Sequence, residues 1–154
     1  MKNKNYAWAI AAVFIWIGFV GAISFMEAWL KFRAPGITIA LGLGIGRLVF
    51  QVLNKIEIVL AAIVIINFMV QKIPLYKKEG LLFLIALGVL ALQTVWLIPA
   101  LDERAVKILE GQNVPDSKLH FVYIALELIK TVCLFVFGAK MLIRRETLKR
   151  TIQQ

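Results

Sequence analysis

Eight residues with chemically useful side chains fall at helical spacing inside two apolar stretches of the chain. Arg47, Gln51 and Asn54, flanked by Glu57, share one face of a helix at 100° per residue. His120, Tyr123 and Glu127 do the same in a later stretch, where Thr131 extends the face and Lys130 lies at its edge. An ionised side chain at the centre of a membrane helix costs roughly 2.5–3.5 kcal/mol on insertion scales. Such groups therefore face the interior of a bundle and pair with one another. The same groups can also line a site: arginine and lysine attract anions, while amides, hydroxyls and imidazole orient a polar solute. The eight residues are read as ligand-binding, lining a site for a small polar or anionic solute. A network that only binds the helices together is the competing reading.

Several other chemistries are disfavoured. One His and one Cys cannot build a zinc, haem or iron–sulfur site within a single chain, so no metal is expected and no cofactor can be named. Met26, Met69 and Met141 are scattered, unlike a copper relay. No serine sits in a nucleophile context and no carboxylate pair suggests a hydrolase, so the residues lean away from an enzyme. The single Cys133 excludes an intramolecular disulfide.

Of the 154 residues, 61% are hydrophobic, and the mean hydropathy is +0.84. Soluble domains are about 45–50% apolar, so this composition belongs to the lipid bilayer. Apolar runs cover roughly 6–30, 45–70, 80–98 and 119–143, each near the ~20 residues that a crossing needs. Backbone groups in hydrocarbon must be satisfied internally, so the runs are helices. The expected fold is all-α, a single-domain integral membrane four-helix bundle, with an outer loop at 99–118 and a basic tail at 144–154. The stretch "APGITIALGLGIG" ahead of the second run reads as interfacial or re-entrant, with Gly42 and Gly46 permitting a close helix contact. The third run stops at Pro99, after which Asp102 caps a short amphipathic helix ended by Gly111. Trp8, Trp16, Trp29 and Trp96 read as packing or interface anchors.

Lysine and arginine set the orientation. Lys2, Lys4, Lys72, Lys77, Lys78, Lys140, Arg144, Arg145, Lys149 and Arg150 fall on one side of a four-span chain, and the positive-inside rule puts that side, with both termini, in the cytoplasm. On the other side, Lys31, Arg33, Arg104, Lys107 and Lys118 mix with Asp102, Glu103, Glu110 and Asp116. The expected location is the cell membrane, as an inner-membrane protein. The net charge of +9 is accounted for by topology and anionic headgroups, and nucleic acid is not an expected partner. At 1.5 Å per residue, Glu57 and Lys130, and likewise Asn54 and Glu127, lie at matching depths as cross-helix pairs. They should line a cavity in the outer half, above an apolar floor. Arg47, Lys55 and Lys130 would outnumber the two acids there, keeping both carboxylates charged and favouring an anion. Four helices enclose little volume, so a transport route calls for a homo-oligomer.

Two family resemblances follow. The pattern "FRAPG…GIGRLVFQVLNKIE", with "IPALDERA" and "LHFVYIALELIK", resembles small four-helix membrane proteins related to the copper-resistance D family, whose better-known members imply copper transport, although the scarcity of His, Met and Cys does not fit a metal. "RLVFQVLNKIE" is also similar to the second helix of the MAPEG membrane glutathione transferases and eicosanoid enzymes. That resemblance implies a glutathione- or lipid-acting enzyme using Arg47, Asn54 and Glu57.

Overall fold

The computed structural model describes residues 5–72, 78–115 and 117–152. Lys2, Lys4, Lys77 and Asp116, used above for topology, lie outside the described residues. Among the described residues there are four long helical rods: α1 (Ala7–Arg33), α2 (Ile39–Val70), α3 (Gly80–Leu109) and α4 (Leu119–Ile152). Each has a stretch long and apolar enough to span a bilayer. They run up and down in sequence. α1 packs on α2 and α4, and α3 packs on α4 and on the first half of α2. The first and last described residues thus lie toward one end of the bundle, where Asn5 N donates to Gln71 Oε1 and Asn67 Nδ2 donates to the Asn5 carbonyl.

Large apolar residues project outward from every rod, among them Leu48, Val59, Val95, Phe121 and Phe135. In water such a surface would aggregate; here it is the surface that lipid wets. The chain is therefore a small polytopic membrane protein. Inside, the half nearer the chain ends is apolar, built from Ala9, Val13, Val64, Phe68, Phe83, Leu134 and Phe137. The rings of Phe83 and Phe137 stack there at 5.2 Å.

Two boundaries differ from the sequence reading. The glycine-rich approach is not re-entrant: α2 is helical from Ile39, with Thr38 Oγ1 accepting from Leu41 N at 3.2 Å as its cap. Glycine lowers helix propensity, but in lipid a broken backbone costs more than the helix does. Gly42 and Gly46 face Phe32 and Lys31 of α1, so they admit side chains rather than another helix backbone. The third rod also does not stop at Pro99. It continues to Leu109, and Gly111 at φ 76° ends it as expected. Just before the proline, Gln93–Leu97 forms a π-helical turn. The wider turn shifts the carbonyl register, so a residue without an N–H and with a bulky ring is accommodated. A second π-turn, Gly21–Glu27, interrupts α1. Both lie beside the polar residues described next.

Candidate functional site

The polar residues do not form one site. They divide into a sealed cluster at mid-depth and an open cavity nearer the end of the bundle formed by the α1–α2 and α3–α4 connections.

The sealed cluster draws on all four helices. Lys130 on α4 is fully buried, with Nζ 2.5 Å from Glu57 Oε1 on α2 and 3.1 Å from Glu127 Oε1, one turn away on α4. It also donates to Gln93 Oε1 of α3 at 2.7 Å, and Gln93 Nε2 donates in turn to Glu127 Oε1 at 3.2 Å. From α1, Trp16 Nε1 donates to Glu57 Oε1 at 2.7 Å. Glu57 is 1% exposed, and Glu127, Lys130, Gln93 and Trp16 are 0% exposed. The Tyr123 hydroxyl lies beside Glu127 and Ser24. Even so, Ser24 Oγ, Glu127 Oε2 and Thr131 Oγ1 are buried without a partner in good hydrogen-bond geometry. Asn54 joins the cluster's edge by donating to Thr94 Oγ1 at 2.8 Å, and Thr94 donates to the Leu90 carbonyl.

Helix rise places this cluster in the bilayer. Arg47 and His120 lie about 15 Å to one side of Glu57 and Lys130, and Asn67 and Lys140 about 15 Å to the other. The interval between those polar rims matches a hydrocarbon core ~30 Å thick. The cluster therefore sits near its middle and not within one half.

The open cavity lies at one rim. Arg47 meets Asp102 in a two-pronged pair, Nε to Oδ1 at 2.6 Å and Nη2 to Oδ2 at 2.9 Å. Gln51 Nε2 also donates to Oδ1, at 3.0 Å. Beside the pair is a cavity of about 330 Å³ whose walls include Leu43, Phe50, Ile98, Leu101, Ala105 and Tyr123. Lys31, Arg47, Asp102 and His120 supply its polar surface. The Lys31 ammonium pairs with Glu27 at 3.3 Å and lies 5.5 Å from the ring centres of Phe32 and Phe50. Lys31, Arg47 and His120 against the Asp102 carboxylate give the wall more basic groups than acidic ones.

The eight expected residues are thus split. Glu57, Glu127 and Lys130 converge as one network, with Asn54 at its edge. Arg47, His120 and Tyr123 line the cavity, and Gln51 steadies Asp102. Glu57 pairs with Lys130 as expected, but Asn54 meets Thr94 instead of Glu127, which Gln93 and Lys130 already occupy. The expected excess of cations is also overturned. Arg47 is engaged by Asp102, and Lys55 turns outward to the exposed face of α2. Two carboxyls therefore share one ammonium. Asp102 is a cross-helix ion-pair partner and not a helix cap. Trp16, Lys31 and Asp102 are site residues that sequence reasoning misses. For Asp102 a signal exists, since an acid placed by continuing the third helix reaches the level of Arg47.

Among the described residues, no group of three or more His, Cys, Asp or Glu side chains is arranged to hold a metal ion. No protein-family model, curated protein or solved structure matches the chain at a significant level.

Proposed function

We propose that the rim cavity binds a small solute with a polar or anionic head and an apolar body, and that the protein helps to move it. The supporting observation is the convergence of Lys31, Arg47, His120 and Asp102 on an otherwise apolar cavity of about 330 Å³, within the range of ~300–1,000 Å³ usual for small-molecule sites. Arg47 is held by Asp102 but only partly buried, so a solute carboxylate or phosphate can share its guanidinium. The interior beyond is closed by the mid-depth cluster, so passage across the bilayer needs a second copy or another membrane chain.

The cavity is assigned to the outer face of the cell membrane, with both termini cytoplasmic. Lys72, Lys140, Arg144 and Arg145 support this, since they crowd the opposite end with few acids. A cysteine at Gln112 should react with an impermeant thiol reagent added outside, and one at Gln71 should not; the reverse pattern would invert the topology.

Calorimetry on the protein in nanodiscs, with octanoate against octanol, tests the binding. Octanoate should bind more tightly, and Ala105→Phe, which fills the cavity, should abolish the difference. Equal affinities, or indifference to Ala105→Phe, would refute the assignment. Glutathione binding that is lost in Arg47→Ala would instead favour the membrane-enzyme alternative.

A further inference from the structure

Lys55 is at odds with its surroundings. On α2 it lies in line with Leu48, Val52, Val59 and Ile66, all exposed apolar residues on the face turned to lipid. Along the helix it lies about 3 Å from the level of Glu57, so it too is near mid-bilayer. Either polar rim is some 12 Å or more away along the axis, beyond what an extended lysine side chain spans by snorkelling. The structure gives Lys55 no ion pair or hydrogen bond with any described residue. An ionised lysine at that depth costs roughly 2.5–3.5 kcal/mol. The other mid-depth charges on α2 and α4 turn inward and pair; this one does not.

Next to Lys55, one turn toward the chain ends, residues of α2 and α3 border open space. They leave a groove of about 430 Å³ lined by Ile58, Ala62, Ile65, Leu87, Ala91 and Val95. Gly88 is exposed on the same rod, and a Cβ there would meet nothing within 4 Å. The groove is apolar apart from Thr94, and Lys55 lies one turn of α2 beyond its Ile58 end.

We propose that this face of α2 and α3 docks a transmembrane helix of another protein carrying an Asp or Glu near mid-bilayer, which pairs with Lys55. Charge selects the occupant. A second copy of this chain would bring Lys55 against Lys55, and among the described residues no acid lies on the lipid-facing surface at that depth to meet it. The acids at this level, Glu57 and Glu127, are sealed inside with Lys130. A phospholipid keeps its phosphate at the interface, out of reach of Lys55. A carboxylate on a partner helix is the chemistry that arrives at the correct depth, and it neutralises the cation while lipid is displaced from the groove.

A photo-crosslinking amino acid at Val59, in the full-length protein in its native membrane, tests the pairing. The expected product is a crosslink to a membrane helix with Asp or Glu at the depth of Lys55. It should fall at least tenfold in Lys55→Leu and be retained in Lys55→Arg. Lys55→Leu should leave the folded protein intact, since it removes an unpaired charge from lipid; the purified variant's melting temperature checks this and separates lost docking from lost folding. Crosslinks only to a second copy, only to lipid, or to helices without a mid-depth acid would overturn the proposal. So would a crosslink unchanged in Lys55→Leu.

Discussion

The Lys130 cluster and the Arg47–Asp102 pair are both ion pairs between helices, yet they sit in different surroundings. In the cluster the Lys130 and Glu57 side chains are 0% and 1% exposed, and four helices contribute. The Arg47 and Asp102 side chains are 30% and 26% exposed and join only α2 and α3. The first pair is enclosed by Gln93, Glu127 and Trp16, with no opening to solvent or a solute, so it fixes which helix faces meet. The second borders open space and can trade one partner for a solute. Burial, more than charge, separates a structural ion pair from one available for binding.

Breaking the sealed cluster should have the largest effect. Lys130→Leu strands two carboxyls at mid-bilayer and should cost about 3–5 kcal/mol, the range for removing one partner of a buried pair. Adding Glu57→Gln and Glu127→Gln should recover much of that, because neutral amides need no counter-charge. Unfolding in mixed micelles measures both, and absence of recovery would show that the charges do not act as a unit.

A smaller loss is expected at the edge of the same cluster. Trp16→Phe keeps an aromatic ring but removes the donor to Glu57, for a loss of about 1.5–3 kcal/mol. In Glu57→Gln the same change should matter less, and a double-mutant cycle reads the difference.

Glu57 and Lys130 are legible as a pair from the amino-acid sequence, because charge in an apolar run is conspicuous and helix rise compares depths reliably. Trp16 is not: an indole in an apolar helix reads as packing, and its N–H becomes informative only when a carboxylate is found opposite. Asp102 is hidden by Pro99, which normally ends a helix; the π-turn that lets the helix run on leaves no plain mark in sequence. Lys55 reads as part of the site because it matches the depth of Glu57, although its alignment with Leu48, Val52 and Val59 points it toward lipid. The split into cluster and cavity is not legible, since it depends on how Lys31 and Phe32 fold back over Gly42 and Gly46.

The smallest stability effect belongs to the rim. Replacing both Arg47 and Asp102 with leucine should change stability by about 0–1 kcal/mol, as for other partly exposed pairs. The same double change should abolish the preference for octanoate over octanol. Stability and binding therefore part company at the rim, whereas at Lys130 stability alone collapses.

Thiol accessibility tests the division between sealed and open most directly. In a Cys133→Ala background, cysteines at Ala105, on the cavity wall, and at Ser24, buried beside the Tyr123 hydroxyl that also meets Glu127, can be challenged with a small water-soluble thiol reagent in intact vesicles. Ala105→Cys should react readily and be protected by octanoate, while Ser24→Cys should stay unmodified until the protein is unfolded. Comparable reaction at both positions would mean that water reaches the Lys130 cluster, and the distinction between a sealed core and an open cavity would be wrong.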